Sequence, residues 1–295
     1  MLLNKRISII YFLKLIKWDA LAIFCYTVLV GSVDHLPFFT TIIIPLGLSA
    51  LIGTLLSLLL AFRTSQSYER WWEARVVWGS IVNDSRTLIR QLSQFIPNDD
   101  TKDSYIKSFV DRQSVWCYAL THSLRRIEMP INVKEYCFKH NLVAENLPNL
   151  LLSKHADELF LLSDKYKLDA NKQVQLDNTI QRLTDAMGKC ERIKNTVFPR
   201  SYSLLIHFLI YVLMTILPFG LDHNNHFVEI FLATLVPALF IGIERTAILM
   251  QDPFENKPTD IAMIALSETI ERNLAEMTGR SLAPKPAVTS SYYIM

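Results

Sequence analysis

Apolar and polar positions in this chain come in long blocks rather than in short alternation. The longest block, residues 37–62, holds 26 positions without a charge. At about 1.5 Å per residue such a helix is roughly 39 Å long, more than the roughly 30 Å hydrocarbon core of a bilayer. It continues, with no Pro or Gly break, into Arg63-Thr64-Ser65-Gln66-Ser67-Tyr68-Glu69-Arg70-Trp71-Trp72-Glu73-Ala74-Arg75. The pattern predicts one helix that crosses a membrane and runs on into water as an amphipathic, aromatic-rich rod. There are three more apolar blocks, 20–33 before it and, after it, 201–221 with His207 inside and 227–243 with Glu229 near one end. The block at 20–33 has only 14 residues, a short span that Lys17 can extend by snorkelling and Trp18 can anchor at the interface. The prediction is an all-α protein with four membrane spans.

Between the second and third spans, residues 68–199 read as a large soluble helical domain. Breaks fall at Pro97-Asn98-Asp99-Asp100, at Met129-Pro130 and around Asn146-Leu147-Pro148. Helical spacing turns Tyr105, Phe109, Val115, Trp116, Leu120 and Leu124 of a helix over 102–128 toward a core. In a helix over 169–196 it does the same for Val174, Leu176, Ile180, Leu183, Met187 and Ile193. After Asp252-Pro253-Phe254 a last helix is expected near 259–276, with Thr259 placed to cap it, followed by an extended tail over 279–295. Residues 1–18 alternate Lys5, Arg6, Lys14 and Lys17 with Ile9, Ile10, Phe12, Leu15 and Trp18, the pattern of an interfacial helix or arm. Lys14 and Lys17 also argue against a cleavable signal peptide. The organisation read from these blocks is an arm and two spans over 1–66, a cytosolic helical domain over 67–200, two spans over 201–245, and a C-terminal helix and tail over 246–295.

Charge adds orientation. Lys5, Arg6, Lys14, Lys17, Arg63, Arg70, Lys189, Arg192, Lys194 and Arg245 fall on one side of the four-span arrangement, and the two opposite turns carry no Lys or Arg. Both termini and the middle domain are therefore expected in the cytoplasm. A net charge of +2 argues against nucleic acid as the main partner. The four cysteines, Cys25, Cys117, Cys137 and Cys190, have neither C-x-x-C nor metal spacing and read as reduced thiols. There is no H-E-x-x-H, Walker loop or G-x-S-x-G, so no enzyme, cofactor or metal site is expected. His223 and His226 are read as turn residues, and Glu69, Arg70, Glu73 and Arg75 as a solvated helix face. Within the spans, Glu229, Glu244 and His207 stand near ends or isolated, against a proton-coupled carrier.

The second span carries two ridges of period four. Ser49, Gly53, Ser57 and Ala61 form a ridge of small residues suited to close helix approach. Beside it run Ala50, Thr54, Leu58 and Phe62, bulkier toward the cytosolic end. On periodicity alone the second ridge packs against lipid or helices, or lines an apolar pore.

Ala61-Phe62-Arg63-Thr64 followed by Tyr68-Glu69-Arg70-Trp71-Trp72-Glu73-Ala74-Arg75 resembles the bestrophin family, above all its bacterial members. Asn195-Thr196-Val197-Phe198-Pro199, Asp252-Pro253-Phe254 and Thr269-Ile270-Glu271-Arg272-Asn273-Leu274 extend the resemblance, in order, over nearly the whole chain. The resemblance implies a homopentameric channel in the bacterial inner membrane, with one central pore, a hydrophobic membrane neck and a second, cytosolic constriction. Carried onto this sequence, the neck residues are Thr54, Leu58 and Phe62, and the aperture residue is Phe198. Thr54 departs from the family's bulky apolar neck residue, and its hydroxyl makes that ring more wettable. The implied function is conduction of monovalent ions, with anions such as chloride first. Sodium conduction on the same scaffold and a non-conducting membrane scaffold remain the alternatives.

Overall fold

The protein is described by a computed structural model over residues 9–34, 36–38, 44–221 and 226–280, and every regular element in those residues is helical. In chain order they are α1 (Ile9–Asp34), α2 (Leu46–Phe95), α3 (Lys102–Arg125), α4 (Ile131–Lys139), α5 (Leu147–Tyr166), α6 (Ala170–Asn195), α7 (Arg200–Ile216), a 3-10 turn (Pro218–Gly220), α8 (His226–Gln251) and α9 (Met263–Met277). Residues 1–8, the turn residues 222–225 with His223, and the tail from 281 lie outside the described residues. The described chain divides into an N-terminal unit, 9–70 with 197–251, and a middle unit, 71–196 with 252–280.

In the N-terminal unit α1 and α7 both pack on α8. Gly31 sits close against α8, since a Cβ there would stand 3.3 Å from Glu229 Oε1. The core joins Ile23, Leu56, Leu60, Ile206, Ile210, Leu213, Met214 and Ile241. Pro45 immediately precedes α2 and accepts the Leu48 N–H on its carbonyl, so it starts the helix rather than kinking it. Among the described residues, α2 and α8 are long and apolar enough to cross a membrane. The apolar part of α1 is preceded by Lys14, Lys17 and Asp19, and α7, with 17 residues, stops ahead of the Pro218 turn.

The middle unit closes around Trp78, Phe109 and Trp116, with α3 packed on α5 and α9, and α5 on α6. The expected α3 core positions are buried except Tyr105, which is half-buried. In α6 the expectation fails at Val174, which is 56% exposed and lines a surface cleft with Phe160. Val174 lies in the first turns of α6, where helical spacing still holds but no opposing helix covers it. Helix ends also moved. α3 ends at Arg125 because Arg126 adopts a left-handed conformation, φ 54°, and returns its N–H to His122 and Ser123. α9 starts at Met263, not near Thr259, and Thr259 caps nothing; its carbonyl accepts a hydrogen bond from Trp71 Nε1 at 3.0 Å. The caps are instead at Asn146 and Asp169, which accept the N–H groups of Asn149 and Asn171.

Candidate functional site

Within its own unit, the first half of α2 buries one stripe: Ser49, Leu56, Leu60, Arg63 and Ser67. The ridge Ala50, Thr54, Leu58 and Phe62 lies away from that stripe and is exposed throughout, Leu58 by 69% and Phe62 by 56%. Helical pitch explains this, because positions four apart stay on one face while the 56/60/63/67 series turns inward. These side chains therefore do not serve the core of their own unit. Thr54 is less wettable than its composition suggests, since its hydroxyl donates to the Ala50 carbonyl at 2.9 Å and leaves only acceptor capacity outward. The small-residue ridge is mixed, with Ser49 buried and Ser57 and Ala61 exposed.

Phe198 lies three residues after the end of α6 and immediately before Pro199, the N-cap of α7. It is half-buried. The Arg63 guanidinium sits over its ring at 5.1 Å, and the Tyr202 ring meets it edge-on at 5.9 Å. Tyr202 also approaches Phe62, with ring centroids 6.0 Å apart, and its hydroxyl donates to the Leu59 carbonyl at 2.9 Å. Phe62 and Phe198, separate in sequence reasoning, thus share one aromatic neighbour. Leu58 and Thr54 stay one and two turns away on the same helix face.

Below this group lies a buried ion cluster that the sequence did not disclose. Arg63 Nη1 donates to Glu244 Oε1 at 2.9 Å and to Ser203 Oγ at 2.8 Å. Glu244 Oε2 meets His207 Nε2 at 2.8 Å. Glu244 and His207 are therefore not isolated, which corrects the expectation. Arg63 and Glu244 are almost sealed from solvent, with side-chain exposures of 2% and 1%. Charges removed from water to that degree persist only when paired and hydrogen-bonded. The next residue, Arg245, forms a two-bond pair with Asp19 of α1 at 2.7 and 2.8 Å. The available signal was a single ionisable residue in or beside each of three apolar blocks, which spacing alone could not pair.

The sequence profile described as Bacterial/Fungal Bestrophin protein matches residues 8–276. The chain belongs to this bestrophin family. The bestrophin is 30% identical over 235 residues to the voltage-dependent anion channel-forming protein RSc3414 of Ralstonia nicotianae, covering 78% of this chain and 76% of that protein. It is 27% identical over 270 residues to the voltage-dependent anion channel-forming protein YneE of Salmonella typhi, covering 90% and 88%. In structure it is similar to a bacterial bestrophin homolog from Klebsiella pneumoniae, with a TM-score of 0.81 at 27% identity, over 90% of this chain and 99% of that one.

In this bestrophin the segment around Asp252-Pro253-Phe254 carries its own cation. Lys194 Nζ bonds Asp252 Oδ2 at 2.8 Å and Glu255 Oε1 at 3.2 Å. The ammonium, with Asp252, holds the Glu255 carboxyl down, to about 2. Asp260 accepts the Lys257 N–H at 3.0 Å, and burial pushes its carboxyl up. Among the described residues no group of three or more His, Cys, Asp or Glu is arranged to hold a metal ion. On the expected solvated face of α2, Glu69 and Glu73 are exposed and Arg70 and Arg75 half-buried, and Glu73 pairs at the surface with Arg192 of α6 at 2.7 Å.

Proposed function

We propose that the protein is a membrane ion channel for monovalent anions such as chloride, assembled as a pentamer around one central pore. The observation that carries the reading is the uncharged ridge Ala50, Thr54, Leu58 and Phe62, exposed along its whole length and turned away from the buried stripe of α2. Large apolar side chains left uncovered in this way belong to lipid, to a neighbouring subunit or to a lumen, and rings of them around an axis impose a dewetting barrier on ions. Thr54, Leu58 and Phe62 are assigned to the neck and Phe198 to the cytosolic aperture. The names of the Ralstonia and Salmonella relatives favour anions over sodium.

In this reading α1, the first half of α2, α7 and α8 are the four spans of a bacterial inner-membrane protein. Residues 67–200 and 246–295 are cytosolic, as are both termini, and no enzymatic activity or cofactor is assigned. Purified protein reconstituted in liposomes should pass chloride, and the reversal potential in asymmetric sodium chloride should lie toward the chloride equilibrium potential. A potential at the sodium value would make it a cation channel on the same scaffold. Absence of flux from a correctly assembled oligomer would leave a non-conducting scaffold. A thiol introduced at Asn224, which lies outside the described residues, should react with an impermeant reagent from the external side. Reaction only after permeabilisation would refute the four-span topology.

A further inference from the structure

Three contacts separate a titratable imidazole from the ring assigned to the aperture. Glu244 divides its two oxygens, giving Oε1 to Arg63 at 2.9 Å and Oε2 to His207 at 2.8 Å. Arg63 in turn covers the face of Phe198 at 5.1 Å. We propose that His207, acting through Glu244 and Arg63, sets the charge a permeant ion meets at Phe198, so that protonating this imidazole raises anion over cation permeability. The inference rests on the reading of Phe198 as the aperture residue.

Access and burial differ sharply along this chain of contacts. Arg63 and Glu244 are sealed, whereas the His207 side chain is 41% exposed. It lines a cavity of about 430 Å³ together with Asp19, Tyr26, Tyr211 and Arg245. His207, and not the pair behind it, is thus open at the surface of its own unit. Its Nε2 stands 2.8 Å from Glu244 Oε2, at ion-pair distance but without the geometry of a hydrogen bond, so the two are coupled through charge.

The charged surroundings leave this step uncompensated. On α8 the facing groups are Glu244 and Arg245, on α1 Asp19 and Tyr26, on α2 Arg63, and on α7 itself Tyr211. Arg245 and Asp19 bind each other through two hydrogen bonds and cancel. What remains is Arg63, Glu244 and His207, neutral in sum with an imidazole and singly positive with an imidazolium. The imidazolium draws on the one carboxylate that had balanced Arg63, so positive charge is released on the side of Phe198. Because the Arg63 guanidinium occupies the ring face, an ion passing Phe198 meets the electropositive ring edge and this released charge together.

The test uses the full-length channel in planar bilayers with asymmetric sodium chloride, read as the chloride-to-sodium permeability ratio at pH 8 and pH 5.5. A unit charge only partly screened by water should raise the wild-type ratio about twofold or more on acidification. H207Q keeps a neutral polar side chain beside Glu244 without titrating, and should hold the pH 8 ratio at both values. H207R carries a fixed charge, and should hold the acid ratio at both. A wild-type ratio that does not change, an H207Q response equal to wild type, or a pH-dependent ratio in H207R overturns the inference; the last arm decides even if H207Q fails to assemble. F198A, measured at pH 8 for chloride against larger anions, tests the aperture reading separately. Altered size selectivity with no proton response removes the role of His207 alone. Unaltered size selectivity removes the aperture reading and this inference with it.

Discussion

The guanidinium of Arg63 stands 5.1 Å from the centre of the Phe198 ring, held there from behind by Glu244 at 2.9 Å. Removing one partner of so buried a pair leaves an uncompensated charge, at a cost of about 3–5 kcal/mol. Glu244→Ala should therefore melt well below wild type in detergent. The double variant Arg63→Met with Glu244→Leu should regain most of the loss, because neither charge then remains. A double variant no more stable than Glu244→Ala would show that the pair does more than compensate its own charges.

The neck assignment predicts easier ion passage after truncation. Leu58 and Phe62 present large apolar surfaces outward, and a narrow apolar ring raises the barrier to a hydrated ion. Leu58→Ala and Phe62→Ala should each increase chloride flux in liposomes, and together more than either alone. Wild-type flux from an assembled double variant would return this ridge to packing.

Phe198 sits on a short segment fixed by Pro199 and wedged between Arg63 and Tyr202. Phe198→Ala should widen the path, so that large anions gain permeability relative to chloride. Identical permeability ratios would count against an aperture there.

The middle unit should lose stability in acid at a definite place. His155 is fully buried, stacked on Phe109 with centroids 4.9 Å apart, and its Nδ1 lies 3.4 Å from Arg112 Nη1. Burial first, and the Arg112 charge second, hold its pKa well below the ordinary histidine range. The folded state thus binds fewer protons than the unfolded chain, whose histidines titrate near pH 6.5. The stabilising contribution is complete above about pH 6.5 and declines below it, by up to about 1.4 kcal/mol per pH unit. Denaturant titrations of wild type and His155→Gln between pH 7.5 and 5 should show the steeper acid loss in wild type. Parallel curves would exclude His155 as the source.

Calcium should not be required. The ion needs six to eight oxygens with several carboxylates, and here Asp252 and Glu255 are already bridged by the Lys194 ammonium. Flux should be equal in chelator and in micromolar free calcium. A calcium activation curve abolished by Asp260→Ala would refute this.

Helix class, the uncharged blocks and most core positions were legible in the sequence because they are local. A period near 3.6 places Phe109, Trp116 and Leu120 on one face whatever surrounds them. The motif from Phe62 to Arg75 carried the family for a similar reason, as contiguous text. Local periodicity could place Thr54, Leu58 and Phe62 on one ridge, but whether that ridge was covered depended on which stripe of α2 the other helices took. Nor could spacing along the chain pair Arg63 with Glu244, 181 residues away, put Tyr202 between Phe62 and Phe198, or place Lys194 on Asp252. Val174 and Thr259 failed in the same way, since burial and capping need a second surface as well as a suitable residue. Ion pairs and burial are properties of elements brought together from distant parts of the chain, and only the tertiary structure supplies that proximity.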